Sequence, residues 1–141
     1  MQLSNEIKVV KTRAYNDNAG TTNVNGTDID FTGYDGVCFF GEMEKATAST
    51  DVNKITVSQK NAAGSYAALA GASATCTEDG QVLMVDVYKP NQSLGKILRV
   101  TVDIATTTKY GDIYAVLYKG RKHPETAADV VARVVSPAAV A

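Results

Sequence analysis

Val82-Leu-Met-Val-Asp-Val-Tyr88, Ile97-Leu-Arg-Val-Thr-Val-Asp-Ile104 and Asp112-Ile-Tyr-Ala-Val-Leu-Tyr118 decide the fold class of this chain. Each run is β-branched or aromatic, about one strand long, and bounded by Gly, Pro, Asn or Asp. In the second run, Leu98, Val100, Val102 and Ile104 make one apolar face, and Arg99, Thr101 and Asp103 oppose it. A slip of one residue would expose four aliphatics, at roughly 1.5–3 kcal/mol for each one otherwise fully buried. The third run differs. Ile113, Ala115 and Leu117 form one face, but Tyr114, Val116 and Tyr118 make the other apolar too. Both of its faces need cover, from a second sheet or from a partner subunit.

Working outward, the same signals recur. Ile7-Lys-Val-Val10 reads as a strand or an ordered arm, and Asn16 to Gly26 reads as a loop rich in turn-forming residues. Asp28-Ile-Asp-Phe31 alternates as a half-buried strand, and Asp35-Gly36 turns the chain into a strand over Val37–Glu42. Lys54 to Gln59 alternates cleanly, with Ile55 and Val57 on one side. Asn61 to Ser65 is a turn, and the Ala-rich stretch after it admits a short helix that Gly64 and Gly71 keep from being long. Asp79-Gly80 marks a turn before the first strong run, and Pro90-Asn91 ends that run. Thr126 with Asp129 resembles a helix start, but valines at 130, 131, 134 and 135 favour an extended arm. The expected architecture is all-β: a jelly-roll-like sandwich or barrel with short loops over residues 1–129, and a C-terminal arm over 130–141.

A chain of 141 residues suits one domain with a sizeable core. A formal net charge of -1 removes the usual electrostatic reason to expect nucleic-acid binding. Cys38 and Cys76 are expected to be reduced and buried, because two cysteines make no secreted framework. The first residues lack a signal-peptide pattern and no apolar run is long enough to cross a bilayer, so synthesis in a cytoplasm and no membrane partner are expected.

Catalytic patterns are sparse. His123 is the single histidine, and it lies between Lys122 and Pro124 in a basic loop, an unpromising place for a triad. Two cysteines and one histidine offer no zinc spacing. The pairs Asp28/Asp30 and Glu42/Glu44 each share a strand face and could bind a cation, but no EF-hand loop follows the first. No Walker, G-x-G-x-x-G or G-x-S-x-G pattern is present. The expectation is therefore no catalytic residue, no cofactor and no metal. Candidate contact residues are instead Tyr114 and Tyr118, which with Tyr110 recur every four positions, the basic pair Arg121 and Lys122, and Val130, Val131, Val134 and Val135 of the arm.

The order Ile29 to Val37, Leu83 to Pro90, Leu98 to Val102, Leu117 to Pro124 and Ser136-Pro-Ala resembles the cement, or capsid decoration, proteins of tailed bacteriophages. That resemblance runs from about Ile29 to the C-terminus. It implies a jelly roll without catalysis that sits on the capsid exterior, binds the major capsid protein and bridges neighbouring coat subunits as a homodimer or other small homo-oligomer. In this reading the 112–118 strand makes the oligomer contact and the arm makes the shell contact by strand addition. The rival expectations are a tail or baseplate protein or a carbohydrate-binding β module, with Tyr15, Tyr34 or Tyr66 as sugar platforms. An enzyme barrel is disfavoured by the missing histidine cluster.

Overall fold

The structure, a computed structural model, describes residues 7–14, 23–45, 53–103, 110–120 and 130–140. Within them are eleven strands and no helix: β1 (Ile7–Arg13), β2 (Val24–Asn25), β3 (Ile29–Asp30), β4 (Gly36–Met43), β5 (Asn53–Lys60), β6 (Tyr66–Cys76), β7 (Gln81–Tyr88), β8 (Ile97–Asp103), β9 (Ile113–Tyr118), β10 (Val130–Val135) and β11 (Ala139–Val140). They form two packed sheets, ordered β1-β9-β4-β7-β10 and β11-β6-β5-β8-β2, with β3 also paired to β8.

Taking β2 and β3 as one interrupted strand, the first eight strands pair as a rolled-up hairpin. β1 pairs with β9, β2 and β3 with β8, β4 with β7, and β5 with β6, all antiparallel. That nesting is the jelly roll, and the fold expected from the sequence is observed. Its core is the inner face of both sheets, where Phe31, Phe39, Ile55, Leu83, Leu98, Ile113 and Leu117 are essentially inaccessible. The alternation in β8 holds: Leu98, Val100 and Val102 point inward, and Arg99, Thr101 and Asp103 do not. Ile104 lies outside the described residues.

Two segments depart from expectation. The Ala-rich stretch, which the sequence leaves open to a short helix, is an eleven-residue strand. Leu69, Ala72 and Ala74 supply its core contacts, and Gly71, at φ +74°, takes up the irregular register between β5 and β6. The segment expected as an arm is extended, but β10 lies parallel along β7 from Val130↔Leu83 to Val135↔Tyr88 and is the edge strand of its own sheet. Beyond it the Ser136 amide donates to the Tyr88 carbonyl and the Ala70 amide donates to the Ala138 carbonyl. The C-terminal segment thus crosses from one sheet to the other and closes that side of the sandwich. On the opposite side Thr27 donates to the Thr12 carbonyl and Gly26 to the Val100 carbonyl, tying β1 to β8.

Candidate interaction surface

The two outer faces of the sandwich differ in chemistry. On the six-stranded sheet the outward side chains are polar: Lys54 lies beside Asp103 at 3.9 Å, Thr56 donates to Asp103 at 3.1 Å, and Thr101 donates to Asn25 at 2.9 Å. This is the solvated face an antiparallel sheet ordinarily shows.

The five-stranded sheet shows the reverse. Its register aligns outward residues in rows across the strands. One row is Ile7, Tyr118, Gly36, Tyr88 and Val135; the next is Val9, Val116, Cys38, Asp86 and Arg133; the third is Lys11, Tyr114, Phe40, Met84 and Val131. Among the described residues, the large hydrophobics that are exposed are Val9 (57%), Val131 (40%) and Val135 (59%), and all three stand on this face. Between them Cys38, Tyr88 and Tyr118 form a second apolar cluster, with Ile7, Met84 and Val116 packed against it. Phe40 stacks on Tyr114 with ring centroids 5.7 Å apart, and Tyr88 stacks on Tyr118 at 6.3 Å.

The charges within those rows are engaged with one another. Arg133 Nε donates to Asp86 Oδ2 at 3.1 Å, the Tyr118 hydroxyl donates to Asp86 Oδ1 at 2.7 Å, and the Asp86 side chain is wholly buried. Lys11 pairs with Asp112 at 3.2 Å, and this hydrogen bond raises the lysine pKa above its ordinary value. Burial pushes the Cys38 thiol up to about 12, helped by the Asp86 carboxylate, which favours the protonated thiol. Burial and the Asp86 hydrogen bond also raise the Tyr118 hydroxyl well above its usual range. Gly36 makes the layer possible: a Cβ there would meet the Tyr118 ring at 2.3 Å, so the tyrosine lies flat across a residue with no side chain.

The predicted contact residues divide accordingly. Tyr114, Tyr118, Val131 and Val135 come together on the outer face although β9 and β10 are separated by β4 and β7. Val130 and Val134 pack inward against the main core. Tyr110 is not part of the face: it precedes β9, bridges Met43 and is buried in the main core, where its hydroxyl accepts from Arg13 Nε at 3.3 Å. A spacing of four aligns residues only while the strand continues. Arg121, Lys122, His123 and Tyr15 lie outside the described residues. Met84 and Phe40 were missed as outer-face residues. Their signal was the near-continuous apolarity of the β4 and β7 runs, which marks strands covered on both sides.

The other candidates resolve into local contacts. Asp30 bonds the Thr32 amide and hydroxyl, which lowers its pKa, while Asp28 accepts from Tyr66 and lies 3.9 Å from Lys60, so the pair does not converge. Tyr66 carries the Arg99 guanidinium 3.5 Å from its centroid, and Tyr34 lies under Lys119 at 5.5 Å, so one face of each ring is engaged by a cation. Among the described residues no group of three or more His, Cys, Asp or Glu is placed to hold a metal ion.

No family model matches the chain, and no curated protein matches it. Among solved structures it is similar to the SPBc2 prophage-derived protein YomS, at 12% identity and a TM-score of 0.50 over 79% of this chain and 92% of that one. It also aligns with the Clostridium thermocellum xylanase Xyn10B CBM22-1–GH10 modules complexed with xylohexaose, at 13% identity and a TM-score of 0.46. That alignment covers 85% of this chain but 25% of the xylanase chain. At such identities the likeness to YomS is one of fold: an all-β sandwich.

Proposed function

We propose that this chain is a structural protein of a bacteriophage particle, without enzymatic activity, that attaches to the outer surface of the capsid and ties neighbouring coat subunits together. The observation that supports a role in protein assembly is the apolar outer face of the five-stranded sheet. A solvated sheet face is normally polar, and a contiguous apolar patch with its charges already satisfied is the mark of a protein contact. The cluster at its centre supports the same reading, because its buried carboxylate, Asp86, is engaged by Tyr118 and Arg133. The sequence resemblance to phage cement proteins agrees with it, and the prophage origin of the solved chain of similar fold is compatible.

Co-sedimentation tests it. Purified protein mixed with empty shells of the coat protein from the same phage should pellet with them to a fixed ratio per coat subunit, and occupied shells should resist heating better than bare ones. Protein left in the supernatant at every concentration, with correctly folded shells, would exclude the reading.

A further inference from the structure

We infer that the occupant of the apolar face is a second copy of this chain, packed sheet against sheet about a two-fold axis parallel to β4. The inference rests on the reading of that face as a protein contact, and it names the partner.

Three observations converge on a self-contact. The first is size. Five strands about 4.8 Å apart and three outward rows about 6.8 Å apart give a footprint of about 500 Å² per copy, hence about 1,000 Å² in total, the lower bound for a specific interface. The second is charge. A face that meets itself brings like against like near the axis; within the three rows the axial strand β4 presents Gly36, Cys38 and Phe40, all uncharged, and its outward charge, Glu42, stands exposed one row beyond them. The flanking charges are paired within each copy, Lys11 with Asp112 and Arg133 with Asp86, so within these rows the two faces meet without an unpaired charge. The third is shape. Rotation about an axis along β4 places β1 of one copy over β10 of the other, since these are the opposite edges of the sheet. Val9 then stands over the row of Arg133, between Val131 and Val135, and the three exposed aliphatics cover one another at both edges. The dimer leaves the polar faces of both copies outward, so one unit can reach two coat subunits.

Sedimentation equilibrium of the full chain tests this. The wild type should move toward twice 14.9 kDa as concentration rises into the tens of micromolar. Val9→Lys, facing the arginine row, should weaken association at least tenfold, and Val135→Glu should do so as well. An equimolar mixture of the two variants should associate again, because each mixed pair places lysine beside glutamate at one edge and valine beside valine at the other. Ser73→Glu, on the polar face, should leave association unchanged. A monomer at every concentration overturns the inference, as does a dimer indifferent to both valine variants. Failure to restore association on mixing overturns the β1-over-β10 geometry. Dimers that ignore shells would sink the proposed function alone, and monomers that bind shells would sink the dimer alone.

Discussion

The Tyr118 hydroxyl on β9 reaches over the intervening strand β4 to donate 2.7 Å to Asp86 on β7, a carboxylate with no solvent exposure on the outer face of a sheet. Removing the hydroxyl leaves a buried charged acceptor short of a donor. Tyr118→Phe is expected to lower the unfolding free energy by about 2 kcal/mol, the range for a hydrogen bond to a buried charge, with an unchanged urea m-value. Unaltered stability would mean that water replaces the donor.

Gly36 and Tyr118 should be energetically coupled. Gly36→Ala places a methyl group where the ring lies and should cost about 1–3 kcal/mol. In a Tyr118→Ala background the same substitution should cost much less. A double-mutant cycle by urea denaturation reads the coupling; strictly additive effects would refute the packing described.

β10 is held by main-chain pairing with β7 and by the Arg133–Asp86 pair. Arg133→Ala removes the cationic partner of a buried carboxylate and should destabilise the protein by about 1–3 kcal/mol, below the cost for a fully buried pair because the arginine is partly open to water and Tyr118 still donates to Asp86. Replacing both residues, Asp86→Leu with Arg133→Met, should recover most of the loss. Deleting 130–141 should lower the thermal midpoint, because it uncovers the edge of β7 and opens the seam between the sheets. Point substitutions on the outer face are therefore the sound probes of binding.

Alkali should destabilise the fold through two protons. Cys38 is raised from an ordinary 9.0 to about 12 and Tyr118 is raised above its ordinary 10.0, so the unfolded chain releases these protons first. Stability from these groups is complete below about pH 9 and falls as pH rises toward the folded values, by up to about 1.4 kcal/mol per pH unit for each group. Urea midpoints at pH 7, 9 and 10.5 should show the decline, and Cys38→Ala with Tyr118→Phe should flatten it. An equal decline in the double variant would assign it elsewhere.

Much of the architecture is legible in the chain. The β8 run encodes its own sidedness because burial on one face and water on the other enforce a period of two, and the turn residues around it limit its length. The Ala-rich stretch misleads because alanine is compatible with either structure. Only packing room opposite Leu69, Ala72 and Ala74 makes it a strand. The apolar outer side of β9 was visible as a face in need of cover, but not what covers it.

Alternation and turn chemistry are local properties, and they are enough to specify an all-β chain, the inward set of each strong strand and the double-sided character of 112–118. Tertiary structure alone decided that 130–135 would lie on β7, that Tyr110 would go to the core, and that Val9, Tyr114, Met84, Val131 and Val135 would share one surface. Strand order and register join residues more than a hundred positions apart, and no local pattern carries that information: long-range pairing is chosen by the packing of the whole sandwich.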